Sequence, residues 1–231
     1  MSRFDVIGFD ADDTLWHSED SFHAVEARFV ELVAPYAPTG VDVGAALRAT
    51  ERAQLPVAGY GVKAFTLSMV QAAITVSEGK VPALVISQLL DAGMGMLTET
   101  VRLLPDVPAV LADLGTDHRL VLITKGDLVH QTRKVTTSGL AHHFEHVEVV
   151  LEKDADTYAR ILGEVGVPAE RFCMVGNSVR SDILPVLALG GHAVHIPYPL
   201  LWEHEHVDHD EDLDELSSIS ELPGAVRAHV P

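Results

Sequence analysis

The chain has one cysteine among its 231 residues, Cys173, and therefore cannot form an internal disulfide. This excludes the small disulfide-stabilised scaffolds and favours a reducing compartment. Cys173 lies in the apolar segment RFCMV, where we expect a buried, inert thiol. Long apolar runs are also lacking, since none approaches the roughly 18 residues of a membrane-spanning helix. Residues 1–3 lead directly into a predicted strand without a signal peptide, so we expect a cytoplasmic protein.

Basic residues are scarce: 16 Lys and Arg stand against 34 Asp and Glu, for a net charge of −18. This balance argues against binding to nucleic acid or to anionic membranes. Eight of the acidic residues and three histidines lie in residues 203–215, EHEHVDHDEDLDE. This tail has two interpretations, a metal site and a solvated acidic surface. The solvated surface is favoured, because no spacing in the tail matches a known zinc pattern.

Short apolar segments alternate with helical patterns over most of the chain. The predicted strands are 4–9, 119–123, 147–150, 172–175 and 193–196, and the helical patterns between them are 107–114, 128–137, 155–165 and 183–189. Continuous apolar strands are typical of sheets covered on both faces. The order therefore predicts an α/β fold, a three-layer Rossmann-like parallel sheet.

Residues 18–102 interrupt this alternation with helical patterns alone. The first helix places Phe22, Val25 and Phe29 on one face and is expected to end before Pro35. Three more helices are predicted at about 44–54, 62–77 and 82–101. We interpret residues 17–103 as an inserted all-helical cap domain that closes over the site and selects the substrate, and residues 1–16 with 104–231 as the core.

Polar side chains follow the predicted strands, at the sheet edge where open parallel sheets bind ligands. They are Asp10 and Asp12 after the first strand, Thr124, Lys125 and Gly126 after the second, Lys153 after the third, and Asn177 and Asp182 after the fourth. Carboxylate and amide oxygens suit Mg²⁺, and a lysine would balance a carboxylate and a phosphate. Asp13 is expected to face away from Asp12 into solvent.

In these positions the chain resembles the haloacid dehalogenase-like hydrolases. The four motifs of that family are matched in order by VIGFDADDTLW, LVLITKGD, the lysine of LEKDADTY, and VGNSVRSDI. The resemblance extends over residues 4–200, and the helical insertion stands where this family carries a cap. It therefore implies a Rossmann-like catalytic core with a cap domain.

The resemblance also implies roles. Asp10 would be the nucleophile, Asp12 the general acid and base, and Lys153 the charge clamp. Thr124, Lys125, Gly126 and Lys153 would bind the phosphate, and Asp10, Asp12, Asn177 and Asp182 would hold Mg²⁺. The fourth motif often begins Gly-Asp, whereas this chain has Asn177, which retains an oxygen ligand but removes one negative charge.

The sequence thus predicts a Mg²⁺-dependent phosphohydrolase that cleaves a small phosphorylated metabolite through an aspartyl-phosphate. Two alternatives stay open. One is a 2-haloacid dehalogenase, against which Asp12 argues, since those enzymes typically lack an acid there. The other is a non-catalytic member that binds a phosphate or a protein.

Overall fold

The computed structural model describes residues 3–200, 202, 205–209, 211 and 213–228. The chain divides into two compact units. The first combines the residues up to Glu19 with those from Val101 onward, and the second is Asp20–Thr100. The predicted cap boundaries, 17 and 103, differ from these divisions by three residues at each end.

The first unit is built on a parallel sheet. Its strands are β1 Val6–Phe9, β2 Arg119–Lys125, β3 His146–Val150, β4 Phe172–Gly176, β5 His192–His195 and β6 Asp214–Glu215. The order across the sheet is β3-β2-β1-β4-β5-β6, and every neighbouring pair is parallel. The predicted parallel α/β fold is confirmed. The sixth strand was not predicted, because its two acidic residues lie in the tail and carry no apolar signal.

Nine α-helices lie in the described part of the chain. They are α1 Glu19–Val33, α2 Val43–Ala58, α3 Val62–Val76, α4 Ala83–Thr98, α5 Val107–Leu114, α6 Leu128–Thr137, α7 Ala155–Val165, α8 Leu184–Ala188 and α9 Leu222–Ala228. One turn of π-helix, Val179–Ile183, precedes α8. None of these helices is both long enough and apolar enough to cross a membrane.

The sheet is covered on both faces, which confirms the three-layer prediction. One apolar core contains Ile7 and Phe9 of β1 together with Leu111 of α5. The other contains Val6 of β1 together with Ile161 of α7. Successive β1 residues thus point to opposite cores, as a pleated strand requires. Cys173 is buried, and burial raises the pKa of its thiol to about 12, in agreement with an inert role.

The second unit contains helices alone among its regular elements and has a core of its own. Phe29, Leu47, Met69 and Leu89, one from each helix, are fully buried in it. Helix α1 ends at Val33, ahead of Pro35, as predicted. Helix α2 runs past Pro56 to Ala58, beyond the predicted end near residue 54.

Candidate active site

A buried lysine joins two carboxylates at the carboxyl edge of the sheet. Asp10 directly follows β1, Lys153 lies between β3 and α7, and Asp182 lies in the π-helical turn after β4. The Lys153 Nζ donates to Asp10 Oδ1 and, at 2.6 Å, to Asp182 Oδ1. The structure therefore brings together three predicted site residues that are as much as 172 positions apart in the chain.

A glycine allows Asp182 to reach this position. A Cβ at Gly176, the last residue of β4, would lie 2.2 Å from Asp182 Oδ2, closer than atoms can approach. The backbone N–H of Ser178 donates to the same oxygen at 3.0 Å. The π-helical turn folds back over the end of β4, and this brings the Asp182 carboxylate against Gly176, six residues earlier in the chain. Such π-helical turns are frequent at functional sites.

The charges of this cluster do not cancel. Asp10, Lys153 and Asp182 are each at most 6% exposed, and one ammonium stands against two carboxylates. Burial raises the pKa of Asp10 to about 7, although Lys153 opposes this, and Asp182 raises it further. Burial alone would lower the pKa of Lys153, but the two carboxylates outweigh it, so the pKa is raised and the lysine stays charged.

The donor atoms around Asp10 fit a hard divalent cation. The Thr14 hydroxyl donates to Asp10 Oδ2 at 3.1 Å and lies 3.4 Å from Asn177 Oδ1, so the two oxygens share one neighbour. Only oxygens are offered, and the cluster retains an uncompensated negative charge. A cation would favour the ionised form of Asp10, which burial disfavours. The predicted metal residues Asp10, Asn177 and Asp182 are thus placed around one region.

The side chain of Asp12 is held by Lys134 and Trp16. The Lys134 Nζ and Trp16 Nε1 donate to Asp12 Oδ1 at 2.5 and 2.6 Å. Burial would raise the pKa of Asp12, but Lys134, Gln131 and Trp16 together outweigh it, so the pKa is lowered and the carboxylate is ionised. Sequence reasoning missed Lys134, which lies in α6 beyond the matched motif. The chain has only five lysines, so each lysine near a predicted site residue was worth considering as a partner for a carboxylate.

Thr124, near the carboxyl end of β2, is linked to Asp12 through the buried Gln131 of α6. The Gln131 Nε2 donates to Asp12 Oδ2 at 2.9 Å and to Thr124 Oγ1 at 2.8 Å. Gly126 has a φ of +133° and a Cβ there would lie 3.3 Å from Gln131. The backbone conformation therefore favours glycine, and a Cβ would also crowd the Gln131 side chain.

Lys125, predicted to bind phosphate, makes different contacts in the structure. Its Nζ donates to Glu205 Oε1 at 2.5 Å and to Ser181 Oγ at 2.8 Å. The hydroxyls of Ser178 and Ser181 each donate to Glu205 Oε2 at 2.5 Å. Its predicted contact with phosphate stays a prediction.

Glu205 corrects the interpretation of the acidic tail as a solvated surface. His206 to His209 are exposed as expected, but Glu205 is only 8% exposed and β6 pairs with β5. The lysine and two hydroxyls that hold Glu205 come from elsewhere in the chain, so the tail's own pattern did not reveal this contact. Residues 203, 204, 210 and 212 of the tail lie outside the described residues.

Replacing Glu205 should reduce stability in a pH-dependent way. Burial would raise its pKa, but Lys125 and the two serines lower it to about 2, from 4.5. Because the folded pKa is depressed, the stabilisation is present above about pH 4.5 and is lost as the pH falls through about 2. We expect Glu205→Gln to lower the free energy of unfolding by about 2–3 kcal/mol at pH 7.

Urea unfolding of both proteins between pH 7 and pH 3 measures this effect, and the difference should shrink below pH 4.5. Glu211→Gln, in the exposed part of the tail, is the matched control and should change stability by less than about 0.5 kcal/mol. An equal loss at pH 7 and pH 3 for Glu205→Gln would contradict the contribution of its charge.

The prediction that Asp13 faces solvent is wrong. Asp13 has a φ of 62° and is 7% exposed. Its carboxylate accepts hydrogen bonds from the backbone N–H groups of Ser18, at 2.8 Å, and Glu19. The left-handed conformation turns the side chain inward, which the alternation rule for extended chains does not anticipate. Burial raises the pKa of Asp13 to about 8.

Comparison with known proteins identifies the family. The family model described as haloacid dehalogenase-like hydrolase matches residues 4–190, so the chain belongs to this family and is a hydrolase of that class. A search of curated proteins finds no match. The resemblance seen in the four sequence motifs is confirmed, as is the prediction of an enzyme.

Solved structures agree with this assignment. A haloacid dehalogenase-like family hydrolase from Xanthomonas campestris is 42% identical, with a TM-score of 0.89 over 98% of this chain and 92% of that one. A 2-haloacid dehalogenase from Pseudomonas syringae is 21% identical, with a TM-score of 0.66 over 98% and 100%. A predicted phosphoglycolate phosphatase from Haemophilus somnus is 18% identical, with a TM-score of 0.65 over 97% and 99%. The last two share the fold alone.

Proposed function

We propose that this hydrolase cleaves a small phosphomonoester through an aspartyl-phosphate, with Mg²⁺ as its cofactor. The observation that carries the proposal is the pair of carboxylates two residues apart, each held by its own lysine. Asp10 contacts Lys153, and Asp12 contacts Lys134. These contacts support a role for Asp10 as the nucleophile and for Asp12 in proton transfer.

The proposed reaction has two steps. In the first, an Asp10 carboxylate oxygen attacks phosphorus, the bond to the leaving oxygen breaks, and Asp12 gives that oxygen a proton. In the second, Asp12 takes a proton from water, whose oxygen attacks phosphorus and releases inorganic phosphate from Asp10. Asp12 rests ionised, which is the form the second step needs, so it must acquire a proton when substrate binds. The acid and the base are thus one residue in two protonation states.

The remaining residues would bind charge. The hydroxyl of Thr124 would donate to a phosphate oxygen, and Lys153 would balance the charge shared by Asp10 and the transferred group. Asp10, the backbone carbonyl of Asp12, Asn177 and Asp182 would hold Mg²⁺. When bound, the cation would neutralise negative charge on the nucleophile and the phosphoryl group. Binding and charge neutralisation account for most of what a protein supplies to phosphoryl transfer.

Dehalogenation of a 2-haloacid is the alternative chemistry on this fold, and Asp12 distinguishes the two reactions. Departure of a halide ion needs no proton, whereas departure of an alkoxide does. Lys134 and Trp16 hold a carboxylate that would protonate a leaving oxygen, a step that only the second reaction needs.

Metal dependence and halide release test the choice. We expect the protein to hydrolyse an aryl phosphate in Mg²⁺ buffer and to lose this activity in excess chelator, with recovery when Mg²⁺ is restored. Phosphate release measures the first reaction, and halide release from 2-chloropropionate measures the second. Chelator-resistant halide release would overturn the proposal in favour of the dehalogenase.

A further inference from the structure

Gln131 is a buried amide in α6 that none of the roles above uses. It is 2% exposed, and its Nε2 lies within hydrogen-bond distance of Asp12 Oδ2, Thr124 Oγ1 and, at 2.7 Å, the Lys125 carbonyl oxygen. Its Oε1 is buried without a hydrogen-bond partner among the described residues. The orientation of the amide is fixed, because the opposite one would set Oε1 against the Asp12 carboxylate.

A buried oxygen without a hydrogen-bond partner costs stability, because nothing replaces the hydrogen bonds that it made to water in the unfolded chain. An apolar side chain of similar size would avoid that cost if packing were the only requirement at this position. The hydrogen bonds of Nε2 explain why residue 131 is an amide and not an apolar side chain. They join the proposed acid and base to the proposed phosphate-binding hydroxyl.

Gln131 determines how the Asp12 carboxylate is oriented. Lys134 and Trp16 both donate to Oδ1, which leaves the carboxylate free to turn about that oxygen. Of the donors in the described part of the chain, Gln131 alone reaches Oδ2. Proton transfer requires the carboxylate to lie within hydrogen-bond reach of the leaving oxygen, so this third contact fixes the geometry on which transfer depends.

Gln131 also determines how the Thr124 hydroxyl can be used. A hydroxyl has one hydrogen to donate and accepts through its lone pairs. Since Gln131 donates to Thr124 Oγ1, the hydroxyl hydrogen remains available to donate. Within the described residues, the one other contact of that hydroxyl is a long one, 3.4 Å, to the Lys125 carbonyl oxygen. The hydrogen can therefore turn to a phosphate oxygen.

We infer that Gln131 is a positioning residue that orients both the Asp12 carboxylate and the Thr124 hydroxyl for the reaction. The inference rests on the proposed function, in which Asp12 transfers the proton and Thr124 binds phosphate.

The test compares kcat/KM for phenyl phosphate and 4-nitrophenyl phosphate. Phenoxide needs a proton on departure much more than 4-nitrophenoxide does, so loss of proton transfer by Asp12 should affect mainly phenyl phosphate. Weaker phosphate binding by Thr124 should affect both substrates equally. We expect Gln131→Met to lower kcat/KM for phenyl phosphate by about 100-fold, and that for 4-nitrophenyl phosphate by about tenfold or less. Gln131→Glu, which sets a carboxylate against Asp12, should cause the larger loss. Thr132→Met, at the exposed neighbouring position of α6, is the matched control and should leave both values unchanged.

Urea unfolding separates positioning from a structural role. The midpoint for Gln131→Met should change little, because the orphaned Oε1 is removed together with the useful Nε2. An equal loss on both substrates, with or without a lower midpoint, would overturn the inference. Failure of the proposed function would be seen in a different result, namely that the wild-type protein cleaves neither ester.

If the wild-type protein cleaves neither ester, a double-mutant cycle on stability still tests the hydrogen bond between Gln131 and Asp12. The midpoint shifts of Gln131→Met and Asp12→Ala should not add in the double variant, because each change alone removes the hydrogen bond that the two side chains share. Additive shifts would overturn the inference without any assay of activity.

Discussion

Asp10→Asn should abolish turnover and leave the fold intact. The amide has nearly the shape of the carboxylate, but it is not a nucleophile towards phosphorus. We expect kcat for an aryl phosphate to fall by about 10⁴-fold or more, as is typical when a nucleophile is removed. Lys153 keeps its contact with Asp182, so the variant retains a partner for its buried ammonium.

The matched control is Asp13→Asn, the same change three residues along the chain. The Asp13 carboxylate accepts backbone hydrogen bonds from Ser18 and Glu19, and an amide oxygen can accept them too. This control should keep its activity within about tenfold of the wild type. Residual turnover in a folded Asp10→Asn protein, at more than a trace, would exclude the aspartyl-phosphate mechanism.

Lys153→Met should have the largest effect on stability. Removal of the ammonium leaves Asp10 and Asp182 buried side by side without a positive partner. Breaking a buried ion pair in this way typically costs about 3–5 kcal/mol of unfolding free energy. The loss should diminish as the pH falls, because Asp10, whose pKa burial already raises to about 7, becomes protonated and then no longer carries an unpaired buried charge.

Urea unfolding at pH 7 and pH 5 measures both effects. Lys80→Met is the matched control, since Lys80 pairs with Glu78 on the surface, where both side chains are more than 60% exposed. It should cost at most about 1 kcal/mol. Asp10→Asn combined with Lys153→Met should recover part of the loss, because one of the two unpaired charges is gone. Additive losses in the double variant would contradict the proposed coupling between Asp10 and Lys153.

Much of the site was predictable because it depends on topology. Asp10 and Asn177 each follow an apolar strand and Thr124 lies near the end of one, and strands of a parallel sheet present their carboxyl ends to one edge. Lys153 and Asp182 follow strand ends less closely, but their order in the chain matched the family pattern. The strand order and the two apolar cores confirm the predicted sheet.

What could not be predicted depends on local backbone geometry. Asp13 was expected in solvent because alternation holds only for extended residues, and a φ of 62° breaks it. The π-helical turn that returns Asp182 to Gly176 has no periodic signal either. In both cases a single turn decides where a carboxylate points.

The sequence by itself determined the parallel sheet, the helical insertion, and the polar residues that the sheet edge collects, because strand and helix periodicities are local properties. Only the tertiary structure decided how the lysines are used. Lys134 pairs with Asp12 across 122 positions, and Lys125 pairs with Glu205 across 80. Such pairs depend on how α6 is rotated against the sheet and on the path of the tail. Neither is encoded in a local pattern, since both follow from the packing of the whole unit.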